Sequence, residues 1–517
     1  MNGLQPSLED FCAHAGPESA ALVTLTLLAD TETPVSAYAR LGGGAVGAGP
    51  SLLLESVEGG ERLGRYSFFA AGIERSLRIE GDRVMERNGA TVTERALATA
   101  EGEGPLEAVR AALPRQGLWS PRPLPPLCAG AVGLFAFDLV RALEPVPLPT
   151  RRSSAAPPDI ALLLPDVLCA FDHVTRQLLM MTTAGLGADR TSRCAEHAAA
   201  TARLESALQR LQSGAQLAPW PVGDAAAAPT APVVTDCTPR AAFEAAVVRA
   251  QEAIAAGEIF QVVLSRRFEV EAEIAPLALY RALRAINPSP YMFLLDFGDF
   301  ALVGASPEVL VRVEDGQMRV RPIAGTRRRG QTPDEDIALA EELLADPKEL
   351  AEHRMLLDLG RNDVSRVTVP GSVVVEDPLH IERYSHVMHL VSDVRGRLRP
   401  ECDALDALRA AFPAGTVSGA PKVRALEWIA ALEPIRRGAY AGAVGYLDVR
   451  GHLDTAIAIR TLVVEPTRVV VQAGAGVVAD SVPAHEADEC EAKARAALRA
   501  ISIAVAQQTK HPSNTES

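Results

Sequence analysis

The chain has no run of lysine or arginine long enough to offer a nucleic-acid stripe, and its 51 basic residues are outnumbered by 65 acidic ones, for a formal charge of -14. Without a basic stripe it is not expected to bind a polynucleotide. No apolar run reaches the roughly 20 residues that span a bilayer. The opening MNGLQPSLEDF has no basic segment followed by an apolar one, so neither a membrane span nor a leader is expected and the expected location is the cytoplasm. Seven cysteines lie scattered from Cys12 to Cys490 without a close pair. That spacing makes neither a disulfide framework nor a zinc motif, and it implies reduced, mostly structural thiols. No internal repeat is present. What the chain does have is 517 residues, 48% of them hydrophobic, ample for two domains or one large composite domain.

From Val23 to about Thr182, apolar runs bounded by turn residues read mainly as strands, among them VTLTLLA, SLLLESV and GRYSFFA, followed by the hairpin pattern LRIEGDRVMERNGATVTE. A helix is predicted from Arg190 to Leu211. The aperiodic, Ala-, Pro- and Gly-rich QSGAQLAPWPVGDAAAAPTAPVV then reads as a linker, dividing the chain into residues 1–235 and 236–517. Thr238 and Pro239 open a helix that runs to Gly257. In the strand pattern EIFQVVLSRRF, Phe260, Val262 and Leu264 fall on one face and Gln261, Val263 and Ser265 on the other. A lone Gln on such a strand is expected to face solvent.

Chemistry concentrates near the carboxy terminus. Gly474 and Gly476 permit a tight turn with exposed amides, the kind of concavity that receives an anion. A helix starting near Pro483 buries Cys490, Ala494, Ala497, Leu498 and Ile501, and Glu486, Glu489 and Lys493 edge that stripe. These acids are either a hard-metal site or a solvated flank with an ordinary Glu489–Lys493 pair. Thr332-Pro333 and Asp346-Pro347, each followed by an early acid, start two successive helices. On the second, Glu352 shares a face with Met355, Leu356 and Leu359, expected to be buried. An acid there needs a metal or a salt bridge, and both remain open. Glu308 after Pro307 points into a cleft or ends a strand in water. Gly325 and Thr326 in RPIAGTRRRG form an anion site or part of an exposed basic loop. For His389, on an alternating strand with Val387 and Val391, a core histidine satisfied by backbone is the commoner reading. Lys422 at a helix start and the lone Arg460 each call for an anion.

In order along the chain, LLLESVEGGERLGRYSF, NPSPYMF, GASPE, PIAGTRRRG, ELAEHRMLLDLGRNDV, HVMHLVSDVRG, FPAGTVSGAPK, GAYAGAVGY, AIAIR and GAGVVADSVPAHEADECEAKA resemble component I of anthranilate synthase, a family of chorismate-using enzymes. The match runs from about residue 20 to 505 and is most specific in the second half. The resemblance implies an α+β fold in which sheets from both halves form a central two-sheet sandwich with helices outside, the first half serving regulation and the second catalysis. It also implies that Glu352 and Glu489, supported by Glu349 and Glu486, bind Mg2+ against the ring carboxylate of chorismate. Gly325, Thr326, Thr416, Tyr440, Arg460 and the segment Gly474, Ala475, Gly476 would receive the substrate's carboxylates and ether.

The implied reaction adds ammonia to the ring with loss of hydroxide, then eliminates pyruvate. Glu308 would be the acid that protonates the leaving hydroxyl, and His389 would serve the elimination. Water-adding relatives carry Lys where this chain has Gln261, and many aminodeoxychorismate synthases carry Lys where it has Ala324. GLFAFDLVR near Gly133 departs from the family's frequent tyrosines, which implies altered packing there. None of the seven cysteines has the Gly-flanked turn of an amidotransferase nucleophile, so ammonia would come from a separate glutamine amidotransferase subunit or from solution. Glu55, Ser56, Pro290, Tyr291 and Met292 match segments that surround an inhibitory L-tryptophan. The alternatives to this reading are aminodeoxychorismate synthase component I and a non-catalytic amino-acid sensor.

Overall fold

The computed structural model of the chain describes residues 3–44, 49–56, 64–99, 102–153, 156–220, 233–383 and 387–510. Most of the expected linker, residues 221–232, lies outside the described residues. So do residues 57–63, between LLLES and GRYSF, and His386.

Two large sheets form the centre, and each is assembled across the chain division at residue 235. In the first, Ser51–Glu55 from the amino-terminal half pairs with Tyr291–Asp296 from the other, setting Glu55 opposite Met292. In the second, Gly130–Phe135 pairs with Ala443–Asp448, setting Phe135 opposite Ala443. This is the expected α+β sandwich. The alternation of side chains along each strand explains its layers. Phe293 and Leu295 join Leu52, Val132, Leu134, Leu302 and Val444 in the apolar layer between the sheets. Their neighbours Met292 and Leu294, with Leu53 and Val303, face the other way, onto Leu204 of the helix Arg190–Ser213 and Ala497 and Ile501 of the helix Pro483–Lys510. Strands apolar on both faces show up in sequence as the unbroken runs LLLE and YMFLLD.

The two consecutive helices are Pro333–Ala345 and Pro347–Ser365. Asp346 caps the second by accepting from the backbone of Lys348 and Glu349, at 2.9 and 3.2 Å, with Pro347 in the first turn. Its buried stripe is His353, Leu356, Gly360, Asp363 and Val364, about one residue round the helix from the expected face. His353 sets this rotation: its Nε2 meets Ser392 Oγ at 2.7 Å inside the core. Glu352 is therefore only half-buried and looks along the edge of the stripe.

Three other expectations change. Gly474 and Gly476 form no turn; they sit inside the strand Arg468–Val477, opposite Ser265 and Val263. Phe260 precedes the strand Gln261–Glu271 and is exposed, whereas Gln261 is buried. All seven cysteines are free, as expected, yet the fold brings Cys12 and Cys194 to within 3.5 Å, sulfur to sulfur. Among the described residues no helix is long and apolar enough to cross a membrane.

Candidate active site

Glu308 follows the strand Ala301–Ser306, where Ser306 Oγ donates to the carbonyl of Ile457 at 2.7 Å and fixes the bend. Thr416, in the short turn Gly415–Val417, donates to the Glu308 carboxylate at 3.0 Å. Burial pushes Glu308 up to about 8 against the opposing pull of the Thr416 hydroxyl, Lys493 and Arg460. A carboxyl poised there is neutral at pH 7 and able to donate a proton. The cleft reading of Glu308 thus prevails over the solvated strand end.

His389 lies on the strand Val387–Arg397, paired with Ile323–Arg328. The register slips between Ala324 and Thr326, and Gly325 occupies this bulge at φ +66°, where a Cβ would lie 2.9 Å from Leu343 Cδ1. The bulge aims the Gly325 carbonyl and the Thr326 hydroxyl at His389 Nδ1, each at 3.1 Å. A carbonyl only accepts, so Nδ1 carries the hydrogen and Nε2 is the basic nitrogen of the neutral ring. Burial, with Arg460 adding to it, lowers the His389 pKa and keeps that ring neutral.

The three arginines that follow are not an anion site. Arg327 is paired with Glu342, Asp346 and Glu349, Arg328 with Glu335, and Arg329 with Asp336, tying the loop to both helices. Lys422 finds its anion in Asp363, 2.9 Å away. Arg460 is exposed rather than buried, in a left-handed backbone conformation of φ +50°. Its charge is felt by both Glu308 and His389, so it overlooks the space between them. Tight left-handed geometry at a non-glycine residue is the kind of strain that gathers at functional sites.

Gln261 Nε2 donates to Glu352 at 3.2 Å, while Gln261 Oε1 is buried without a hydrogen-bond partner among the described residues. The two glycines of the neighbouring strand make room for these groups. A Cβ on Gly476 would lie 2.9 Å from Gln261 Nε2, and one on Gly474 would lie 2.5 Å from the Tyr440 hydroxyl. Lys493 bridges this strand to its own helix, meeting the Gly474 carbonyl at 3.0 Å and Glu489 at 2.6 Å.

Glu352 is raised by burial and, further, by the charges of Glu349 and Glu489. Glu486 is likewise raised by burial and by Glu489. Lys493 on Glu489 and Arg327 on Glu349 offset only part of this mutual repulsion. The donor set, carboxylates alone, fits a hard cation such as Mg2+. Among the described residues no three acidic, His or Cys side chains converge tightly enough to enclose an ion. Mg2+ is ordinarily held by one or two carboxylates completed by substrate oxygens and water, and these residues fit that arrangement.

Two features escaped the sequence reading. Arg437 and Glu433 form a wholly buried ion pair, and Arg437 donates to the carbonyls of Val417 and Val263, both at 2.7 Å. It thereby ties the Thr416 turn to the Gln261 strand, with its guanidinium over the Tyr440 ring. The sequence carried little signal for this pair, because both residues lie just beyond the helix Lys422–Leu432, in irregular chain where no periodicity marks a partner. Lys493 was read as a flank partner of Glu489 only.

The five residues matched to a tryptophan site gather elsewhere, at the seam of the first sheet. Glu55 accepts from Tyr280 at 2.6 Å and from Arg284 at 3.0 Å, and Met292, opposite it, is buried. Ser56 Oγ is buried without a partner among the described residues. Pro290 and Tyr291 line a shallow cleft together with Pro307 and Val309, the neighbours of Glu308.

The chain matches the family described as chorismate binding enzyme over residues 29–499. It is 45% identical over 485 residues to anthranilate synthase component 1 of Pseudomonas aeruginosa, covering 92% of this chain and 94% of the relative. It is 47% identical over 486 residues to the protein of that name from Thermus thermophilus, covering 93% and 98%. Its structure superposes on the crystal structure of anthranilate synthase component I from Streptococcus pneumoniae with a TM-score of 0.73 and 35% identity, covering 91% and 98% of the two chains. The menaquinone-specific isochorismate synthase of Escherichia coli, 21% identical, shares the fold with a TM-score of 0.65 over 96% and 99%.

Proposed function

The chain belongs to the family of chorismate-binding enzymes, and from that membership we propose that it makes anthranilate and pyruvate from chorismate and ammonia. The observation that carries this reading is Glu308, bonded to Thr416 and held up to about 8. Replacement of a ring hydroxyl by ammonia requires a proton donor for a poor leaving group. Glu308 gives that proton. Thr416, Tyr440, Arg460, Gly325, Thr326 and the strand segment Gly474 to Gly476 orient the substrate. His389 Nε2, on the neutral ring, takes the proton released in pyruvate elimination. Glu352 and Glu489, supported by Glu349 and Glu486, would hold Mg2+, which supplies positive charge to the ring carboxylate when bound. Gln261 and Ala324 stand where lysines would favour water addition or aminodeoxychorismate formation.

Ammonia derived from glutamine comes through a separate amidotransferase subunit. Burial pushes the thiols of Cys169 and Cys490 up to about 12, the opposite of an activated nucleophile. The test is to incubate the purified chain with chorismate, ammonium and Mg2+ and follow anthranilate fluorescence. Product is expected from the chain alone with ammonium, from glutamine only after the partner subunit is added, and not in EDTA until Mg2+ is restored. Full activity in EDTA contradicts the metal assignment, and a non-aromatic aminochorismate product contradicts the reaction.

L-tryptophan is the proposed feedback inhibitor, bound at the Glu55, Ser56, Pro290, Tyr291 and Met292 seam. A ligand gripping both halves of one sheet biases their packing, and the cleft beside Tyr291 adjoins both neighbours of Glu308. By linkage, tryptophan lowers apparent chorismate affinity and chorismate lowers tryptophan affinity by the same factor. Ser56→Phe is expected to abolish inhibition and leave uninhibited turnover near the parent value. A parent enzyme indifferent to millimolar tryptophan, or a variant as sensitive as the parent, refutes the site.

A further inference from the structure

Two of the seven cysteines meet, far from the chorismate site, and the proposed chemistry uses neither. Cys12 lies in the helix Leu8–Ala13 and Cys194 in the second turn of the helix Arg190–Ser213. Their sulfurs are 3.5 Å apart, and both side chains are half-buried, open in part to small solutes. The other five differ. Cys128, Cys169 and Cys490 are buried, while Cys237 and Cys402 meet the carbonyl of Thr235 and the guanidinium of Arg399 rather than another sulfur. The residues around the pair hold the two helices in this register. Arg193, just before Cys194, donates to the carbonyl of Cys12 at 3.2 Å and to that of His14. His197 donates to the Pro6 carbonyl at 3.1 Å and packs edge-on against the ring of Phe11. Closing 3.5 Å to the roughly 2.0 Å of a disulfide is a movement of about 1.5 Å, which rotation of two half-exposed side chains supplies.

We propose that Cys12 and Cys194 are an oxidation site, a dithiol in reducing surroundings that becomes a disulfide when a small disulfide or a peroxide is present. With a small disulfide, one protein thiolate attacks a sulfur of the reagent and releases one small thiol. The second then attacks the mixed disulfide, forms the Cys12–Cys194 bond and releases the other small thiol. With a peroxide, the first thiolate cleaves the O–O bond to a sulfenic acid, and the second displaces water from it. Either way the two cysteines lose two electrons and two protons, and the reagent is reduced to two thiols or to two waters. Desolvation raises the Cys12 thiol and the neighbouring Cys194 raises it further, while Arg190 and Arg193 pull it back toward the reactive thiolate. The bond closes a loop spanning 182 positions. Inside that loop lies Ser51–Glu55, the strand at the seam of the first sheet, and Leu204 of the Cys194 helix packs in one layer with Leu53 and Met292 of that seam. Closing a long loop removes freedom mainly from the unfolded chain. The cross-link therefore stabilises the amino-terminal half and leaves Glu308 and His389 untouched, whatever reaction they serve.

The test treats the purified full chain with oxidised glutathione, removes the reagent, and counts thiols after denaturation. The reduced chain has seven. The oxidised chain is expected to have two fewer, to be lighter by two hydrogens, and to yield one cross-linked peptide pair containing residues 12 and 194; dithiothreitol restores all seven. Its unfolding temperature should rise by about 5–10 °C, the shift expected from closing a long loop. Cys12→Ser and Cys194→Ser, conservative changes at half-exposed positions, are each expected to form no internal cross-link and to show no such rise under the same treatment. Seven thiols surviving oxidation, a bond to any other cysteine, or a chain that stops at the mixed disulfide with glutathione overturns the site. A Cys12–Cys194 bond that leaves the unfolding temperature unchanged overturns its part in holding the amino-terminal half.

Discussion

Glu308→Gln lowers kcat for anthranilate formation by roughly 10² to 10⁴, the usual worth of a positioned general acid, with chorismate binding preserved. Gln keeps the shape of the side chain and a polar group opposite the Thr416 hydroxyl, 3.0 Å away in the parent. What it removes is the transferable proton. The pH profile carries an independent signature. Glu308, held up to about 8 by burial, donates only in its protonated form, so kcat/KM is full below that value and falls as pH rises through about 8. Glutamine-driven turnover shows this limb most cleanly, because free ammonia from ammonium salts itself increases with pH and offsets the fall. The residual activity of the Gln variant lacks the limb. A variant within a few-fold of the parent rate, or one that keeps the limb, removes Glu308 from the mechanism.

Arg437→Met is expected to destabilise the protein by about 3–5 kcal/mol, because it leaves the Glu433 carboxylate buried without its cation. Glu433 is not otherwise idle: it accepts from the backbone and hydroxyl of Ser265 at 2.9 and 2.7 Å, so it cannot leave the core without unpinning that strand. The same substitution releases the carbonyls of Val417 and Val263, so the surviving folded fraction also turns over more slowly as the Thr416 turn loosens from the Gln261 strand. Removing both charges with Glu433→Leu and Arg437→Met restores most of the stability, since an apolar pair of similar volume often equals a buried ion pair. Equilibrium urea unfolding at 25 °C separates these outcomes. A single variant within about 1 kcal/mol of the parent refutes the assigned role of the pair.

The local signals of this chain were legible because they depend on neighbours in sequence. Caps at Thr332 and Asp346, prolines in the first turns, the hairpin around Gly89 and the buried stripe from Cys490 to Ile501 are short-range physics, and the structure contains each. Motif resemblance likewise indicated the sandwich and the family. Readings that depended on what stands opposite a residue failed. Gln261 on its strand looked like a solvent-facing amide until the helix carrying Glu352 was laid across it. Gly474 and Gly476 looked like a turn because glycine permits one, whereas here it makes room for Tyr440 and Gln261. The anion that Lys422 called for proved to be Asp363, fifty-nine positions earlier.

By itself, then, the sequence determined the main elements, the class of the fold and a set of candidate residues, because periodicity, capping and motif order are properties of contiguous chain. Only the tertiary structure decided which of those residues meet. It placed Thr416 on Glu308, set Gly325 in a bulge against His389, turned the Glu352 helix about one residue by burying His353, and built both sheets across the two halves. The reason is physical: a side chain's charge state and partners follow from the burial and charges around it, and those are supplied by segments that lie tens to hundreds of residues apart in the chain.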